Sequence, residues 1–359
     1  MSAAKPLSAK SSVSEWLKHP LGGALLRRML ADGGMDESVL RTVRLLSLQR
    51  LVSLSKGRLA QETVDQMVIT ANGGVIHDDP VEPVADVPVT EHHREVVVVI
   101  GVGGMGQTIA RRQGSGKRLV LADFSQGALD FASESLRDEG FDVTALTVDV
   151  SSRESVADLA VAAEKLGPIV QVVHTAGLSP NQAPTQAIID VDLVGVALVL
   201  EIFGAAIAPG GAGVVISSMA GHSVDISDEI EDQLAVVPAD SLKALDAVTA
   251  LSDPSAAYAF AKRANQVRVQ AESVAWGARS ARINSVSPGV ISTPMGRQEL
   301  ASDHGDVMEA MIAGSGTGRI GTSSDIAAAV AFLLDPTSSF ITGTDLLVDG
   351  GVVGARRVQ

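Results

Sequence analysis

The chain has 359 residues, 46% of them hydrophobic and 19% charged, which suits a sizeable core and excludes a globally disordered polymer. Its 42 acidic residues outnumber 28 basic ones, for a net charge of −14, which argues against a general nucleic-acid binder, since phosphate contacts need clustered cations. There is no cysteine, so disulfides, thiolate metal sites and cysteine nucleophiles are excluded.

The first residues, MSAAKPLSAKSSVSEW, contain no apolar run of the secretory kind, and together with the missing cysteines they point to a cytoplasmic chain. Residues 1–74 read as a small helical domain. Ser12 and Glu15 have the spacing of a capping box, and Trp16, Leu17, Leu21, Leu25 and Met29 follow at helical intervals. A second helical stretch spans 36–54, with Val39, Val43, Leu46 and Val52 roughly on one face. A third spans 62–71 and ends at Asn72-Gly73-Gly74. Residues 75–94 carry Pro80, Pro83 and Pro88 among acidic side chains, the composition of an extended linker. His77, His92 and His93 lie here; scattered solvated histidines are expected, with a metal site as the alternative.

From residue 95 the pattern alternates. Short apolar, β-branched runs at 96–100, 119–122, 143–148, 169–174, 213–217, 282–286 and 346–348 are separated by helical stretches. Such alternation predicts an α/β fold with a doubly wound parallel sheet covered on both faces, the Rossmann arrangement. The apolar stretch 191–208 includes Asp192 and Glu201, so it is expected to be a buried helix rather than a membrane span.

The first strand runs into Gly101-Val-Gly103-Gly104-Met105-Gly106 and then into a helix. Glycines at these places allow a tight turn and let a pyrophosphate approach the backbone at the positive end of the helix. Asp123 ends the second strand, 17 residues past Gly106, where a carboxylate accepts hydrogen bonds from ribose hydroxyls and repels a 2′-phosphate. NAD(H) is therefore expected over NADP(H). Asp149 and Val150, at the end of the third strand, are placed to flank the adenine.

Tyr258 is the only tyrosine, and Lys262 follows it by one helical turn. An ammonium near a phenol favours the phenolate and draws its pKa towards the working range. Ser218 lies at the carboxyl end of the fifth strand, where open α/β sheets bind ligands, and can hydrogen-bond a substrate oxygen.

With these residues in order, residues 95–359 resemble the short-chain dehydrogenase/reductase family. The matching features are the glycine turn, Ala176-Gly177, Ser218, Tyr258-x-x-x-Lys262, Ser287-Pro288-Gly289 with Thr293, and the tail from Ile341 to Gly351. The resemblance implies that Tyr258 is the general acid/base and that Lys262 holds the nicotinamide ribose and lowers the Tyr258 pKa. It implies that Ser218 orients the substrate oxygen, that Thr293 with Pro288-Gly289 lies near the carboxamide, and that Ala176 and Gly177 line the cofactor site. It also implies a homo-oligomer, a dimer or tetramer, acting on a small alcohol or carbonyl compound. Three features depart from the family pattern. The glycine turn is one residue short, His174-Thr175 stands where the family has Asn in Asn-Ala-Gly, and the helix asparagine of the family's proton relay is replaced by Asp192.

Ser218 and Tyr258 are separated by 40 positions, where most relatives have a dozen or so. The extra segment, about 222–255, has eight acids and one base, Lys243, with one helix expected through Ile226, Ile230 and Leu234 and another through Leu242, Leu245 and Val248. A lid over the substrate, a subunit-interface element and a solvated spacer are all compatible with it. Its acidity points to a neutral, apolar ketone or secondary alcohol, steroid- or terpenoid-like. A cofactor-binding scaffold with weak catalysis is the alternative function. His174, His222 and His304 are expected to be structural, with His222 a candidate for the pocket lining.

Overall fold

The computed structural model describes residues 6–55, 59–74, 94–302 and 305–356. The bulk of the expected linker, with His77, His92 and His93, and also His304, lies outside the described residues. Two compact units divide the chain, residues 1–91 and 92–359.

In the first unit, Ser12 caps the helix Val13–Lys18, and its capping box with Glu15 is present. The helix expected to continue to Met29 is instead broken at Pro20. The residue before a proline is pushed into extended backbone, and His19 has ψ 133° there. A new helix, Pro20–Asp32, starts at once, with the His19 ring accepting from the Gly22 amide. The stretch 36–54 is likewise two elements, a 3-10 turn at Glu37–Val43 and the helix Leu48–Leu54 capped by Ser47. The last helix, Gln61–Ala71, ends at Asn72 with Gly73 in left-handed backbone. Trp16, Leu26, Leu48 and Val64 are buried together. Leu7 and Asn72 exchange two hydrogen bonds, 3.0 and 2.8 Å, tying the unit's two ends.

The second unit is a seven-stranded, wholly parallel sheet: β1 (Val96–Ile100), β2 (Arg118–Asp123), β3 (Asp142–Thr147), β4 (Ile169–His174), β5 (Ala212–Ile216), β6 (Arg282–Pro288) and β7 (Asp345–Val348). The order is β3-β2-β1-β4-β5-β6-β7. It reverses between β1 and β4, which opens a crevice at the carboxyl ends of those strands. Alternate β1 residues serve two cores: Val96, Val98 and Ile100 face one layer of helices, while Val97 and Val99 face the other. Residues 191–208 form a π-helical turn, Ile189–Gly195, leading into the buried helix Val196–Ala206. No described helix is long and apolar enough to cross a membrane.

The segment 222–255 packs along the helix Pro254–Gly277. Its first helix, Asp228–Val236, carries Ile230 and Leu234 as expected but begins after Ile226. The second is replaced by a 3-10 turn, Ala239–Ala244, and a four-residue helix, Asp246–Thr249, because Leu245 between them takes extended backbone. Leu234, Ala239, Leu242 and Val248 are buried in the main core. Arg268 donates from Nη1 to the carbonyls of Leu234 and Val237, and Arg263 pairs with Glu231. The segment's apolar side is thus part of the body, which leaves the solvated-spacer expectation without support. Replacing Leu234 by Ala should cost about 2–5 kcal/mol of stability, read by urea unfolding; a change near zero would mean the segment is only loosely attached.

Candidate active site

At the mouth of the crevice, Gly101 has φ +94°, and a Cβ on it would fall 2.4 Å from the Ala176 amide nitrogen. A Cβ on Gly106 would fall 1.9 Å from the Gly101 carbonyl oxygen, so the helix Gly104–Gln113 can start this close to β1 only with glycine there. The Thr175 hydroxyl donates to that carbonyl at 2.7 Å. Gly103 begins the helix without a side-chain cap, leaving first-turn amides for an anion. Asp123 accepts from the Val102 amide at 2.8 Å and from the Ser125 amide at 2.9 Å, which fixes its carboxylate beside the glycine turn.

A cavity of about 650 Å³ opens here. It is lined by Gly101, Gly103, Gly104, Met105, Gly106, Asp123, Asp149, Val150, Ala176, Gly177 and Thr293, all named by the sequence. Pro288 and Gly289 do not line it, and neither do Tyr258 and Lys262, which were also expected against the cofactor. A Cβ on Gly289 would sit 2.6 Å from the Asp349 Cα, so that turn is packed against the chain's own tail. Phe124, Thr175, Leu178, Gln182, Val191, Pro294 and Met295 line the cavity without having been foreseen. Phe124 is 79% exposed at the rim, a fact about surface that its place after Asp123 does not reveal. The uncapped helix start, the carboxylate and the close-packed glycines fit a dinucleotide: phosphates at the turn, ribose at Asp123.

The proposed acid/base group borders this cavity at Gly177. A Cβ there would lie 2.6 Å from Asp192 Oδ1 and 3.2 Å from Lys262 Nζ. Lys262 Nζ is 5.3 Å from the centre of the Tyr258 ring and 2.8 Å from Asp192 Oδ1, and both charged groups are buried. The other Asp192 oxygen accepts from the Leu178 amide at 2.9 Å. The Ser217 hydroxyl donates to the Lys262 carbonyl at 2.7 Å, joining β5 to the helix. Ser218 caps the following turn through the Ala220 amide at 3.1 Å and lies close enough to the phenol to favour its anion. The structure therefore brings Ser218, Tyr258, Lys262 and Asp192 together.

Burial pushes the Tyr258 phenol up; Lys262 and Ser218 pull it down, and Asp192 adds to the rise, so its net direction is upward. Lys262 does draw the phenol down, as expected, but burial, with a smaller push from the Asp192 carboxylate, outweighs it. Burial pulls Lys262 down, but Asp192 and Tyr258 outweigh it, and it holds its proton more tightly than usual. Burial pushes the Asp192 carboxyl up, opposed by Lys262 and the Leu178 amide.

His222 is bound rather than free in a pocket: its Nε2 is 2.7 Å from Asp345, whose other oxygen accepts from Ser285 and Ser287. His174 lies buried at the end of β4, and neither ring nitrogen has a partner among the described residues. It is structural, as expected, but not satisfied. Burial, helped by the Lys262 charge, pushes its pKa from 6.5 down to about 3.

Family models match in two blocks: short chain dehydrogenase over residues 95–227, and enoyl-(acyl carrier protein) reductase over 233–353. The short-chain dehydrogenase/reductase bsc3 of Alternaria brassicicola is 40% identical over 263 residues, 72% of this chain and 96% of that one. The chain belongs to the short-chain dehydrogenase/reductase family. As a member it is an oxidoreductase of alcohol and carbonyl groups that uses a nicotinamide cofactor. The 3-alpha-hydroxysteroid dehydrogenase/carbonyl reductase of Comamonas testosteroni is 28% identical over 58% of this chain and 87% of its own. Among solved structures, levodione reductase superposes with a TM-score of 0.59 at 25% identity, covering 73% of this chain and 98% of that one.

Two outcomes follow from the geometry of this short-chain dehydrogenase/reductase. Gly106→Val should abolish dinucleotide binding in a fluorescence titration while the sheet's circular dichroism persists; retained binding would mean the turn has slack. Since His174 takes a proton in the unfolded chain near pH 6.5 but in the folded one only near 3, its contribution is intact above 6.5 and lost progressively below. His174→Leu should flatten the fall in urea midpoint across that window, and an unchanged slope would place the acid sensitivity elsewhere.

Proposed function

We propose that the protein interconverts a secondary alcohol and a ketone with NAD(H), with Tyr258 as acid/base, on a neutral and apolar substrate. The bound dinucleotide supplies or accepts the hydride. The observation that carries this reading is the grouping of Ser218, Tyr258 and Lys262, with the Lys262 ammonium directly behind the cavity wall at Gly177. In reduction, the Tyr258 hydroxyl gives its proton to the carbonyl oxygen while Ser218 hydrogen-bonds the same oxygen and polarises it. Lys262, protonated and buried, lies over the Tyr258 ring at 5.3 Å from its centre and favours the phenol oxygen as it becomes negative. Gly177, Leu178 and Val191 present a largely apolar wall that limits water near the reacting atoms.

The choice of NAD rests on Asp123, whose charge at the ribose end opposes a 2′-phosphate. The choice of substrate rests on the acidic segment 222–255, whose Lys243 is held by Asp190 of the cavity lining at 2.6 Å and so offers no free cation to an anionic substrate. Thr293 is assigned to the carboxamide end of the cofactor. A homo-oligomer in the cytoplasm is the setting that completes this reading.

Tyr258→Phe should lower kcat by about 10²–10⁴-fold on cyclic ketones with NADH while leaving dinucleotide binding intact. Equal and negligible turnover in both forms would favour a cofactor-binding scaffold. Robust turnover of acidic acyl thioesters, with none on cyclic ketones, would overturn the substrate class. Asp123→Ala should narrow the preference for NAD over NADP by about tenfold or more in kcat/KM, and no change would remove Asp123 from cofactor selection.

A further inference from the structure

Lys262 has two neighbours that compete for its charge. The Asp192 carboxylate lies at 2.8 Å, as an ion pair, whereas the Tyr258 ring centre is 5.3 Å away. The carboxylate is also held in place from several sides. The π-helical turn Ile189–Gly195 carries it, the Leu178 amide binds its second oxygen, and Gly177 leaves it the room a methyl group would occupy. Ser217 anchors the opposite helix at the Lys262 carbonyl. The ion pair is thus built into three elements and closed to solvent.

We propose that Asp192 sets the working direction of the site: by taking up the Lys262 charge it keeps Tyr258 a proton donor, so the enzyme is built to reduce a carbonyl at neutral pH rather than to oxidise an alcohol. This rests on the oxidoreductase reading above. In reduction the carbonyl carbon takes the hydride and its oxygen takes the Tyr258 proton, giving the alcohol, the oxidised dinucleotide and a tyrosinate that regains its proton from water. In oxidation the tyrosinate must exist beforehand to accept the alcohol proton.

The charges facing the phenol decide how easily that anion forms. Among the described residues Lys262 is the one cation acting on it, from the same helix. Asp192 faces it from the π-helical turn and Glu299 from the helix Pro294–Leu300, and both oppose a second negative charge. Ser218 offers a hydrogen bond from beyond β5, and His174, near Lys262, stays neutral. Desolvation comes first, and with the two carboxylates behind it outweighs Lys262 and Ser218, so tyrosinate is disfavoured. Asp192 acts through Lys262 and is therefore a positioning residue.

Because Tyr258 is the only tyrosine in the chain, the ultraviolet absorbance of tyrosinate reports this one group without background, substrate or turnover. In the cofactor-free protein the wild-type midpoint should lie above that of free tyrosine. Asp192→Asn should lower it by about one pH unit or more. The alkaline rise of kcat/KM for alcohol oxidation should move down in step, whereas carbonyl reduction at neutral pH should change less. A folded Asp192→Asn protein with an unmoved midpoint would overturn the proposal. Should that variant fail to fold, the wild-type titration still decides, since a midpoint at or below that of free tyrosine would also overturn it. An absorbance shift as expected, with no turnover in either direction, would count against the oxidoreductase reading and in favour of the charge assignment.

Discussion

An ammonium sealed from water has to be met by an opposite charge or give up its proton, and the centre of this protein is organised around that constraint. Lys262 is met by Asp192 at 2.8 Å. The consequences spread outward from the pair. Asp192 is brought to it by a π-helical turn, Gly177 lacks a side chain because the carboxylate and ammonium occupy that space, and the Leu178 amide completes the carboxylate's bonding. The loop that carries Gly177 and Leu178 is also a wall of the cofactor cavity, so a buried charge pair and a binding surface share one piece of backbone.

The cavity itself follows from the sheet order. Reversal between β1 and β4 separates the loops at their carboxyl ends, and the crevice between them receives the glycine turn, Asp123 and Asp149 from one side and Ala176 and Gly177 from the other. The shortened glycine turn is compatible with this because Asp123 grips the Val102 amide and Thr175 grips the Gly101 carbonyl. Backbone groups left unpaired by the tight turn are thereby satisfied from neighbouring strands.

The strands were legible because each is a short apolar run bounded by polar turns; β1 and β4 fall on their expected residues, and the others within a residue or two. The dinucleotide turn and the Tyr258–Lys262 pair were legible for a similar reason, since spacing along one element determines which side chains share a face. Where expectation failed, longer-range or backbone effects intervened. Pro20 split a helix whose apolar spacing ran straight through it, and extended backbone at Leu245 divided another. Pro288 and Gly289 were assigned to the cofactor by motif, yet their turn is pressed onto Asp349.

The amino-acid sequence by itself determined the alternating fold, the glycine turn, the acid that ends β2 and the phenol–amine pair, because each depends on neighbours within one strand, turn or helix. Only the tertiary structure decided the electrostatic sense of the site. Asp192 is 70 positions from Lys262, and whether its charge reaches the lysine depends on how the π-helical turn packs against another helix. The same holds for the segment 222–255, whose apolar spacing was visible but whose partner, the main core, was not. Burial and counter-charge belong to surfaces brought together from distant parts of the chain, and a linear pattern does not contain them.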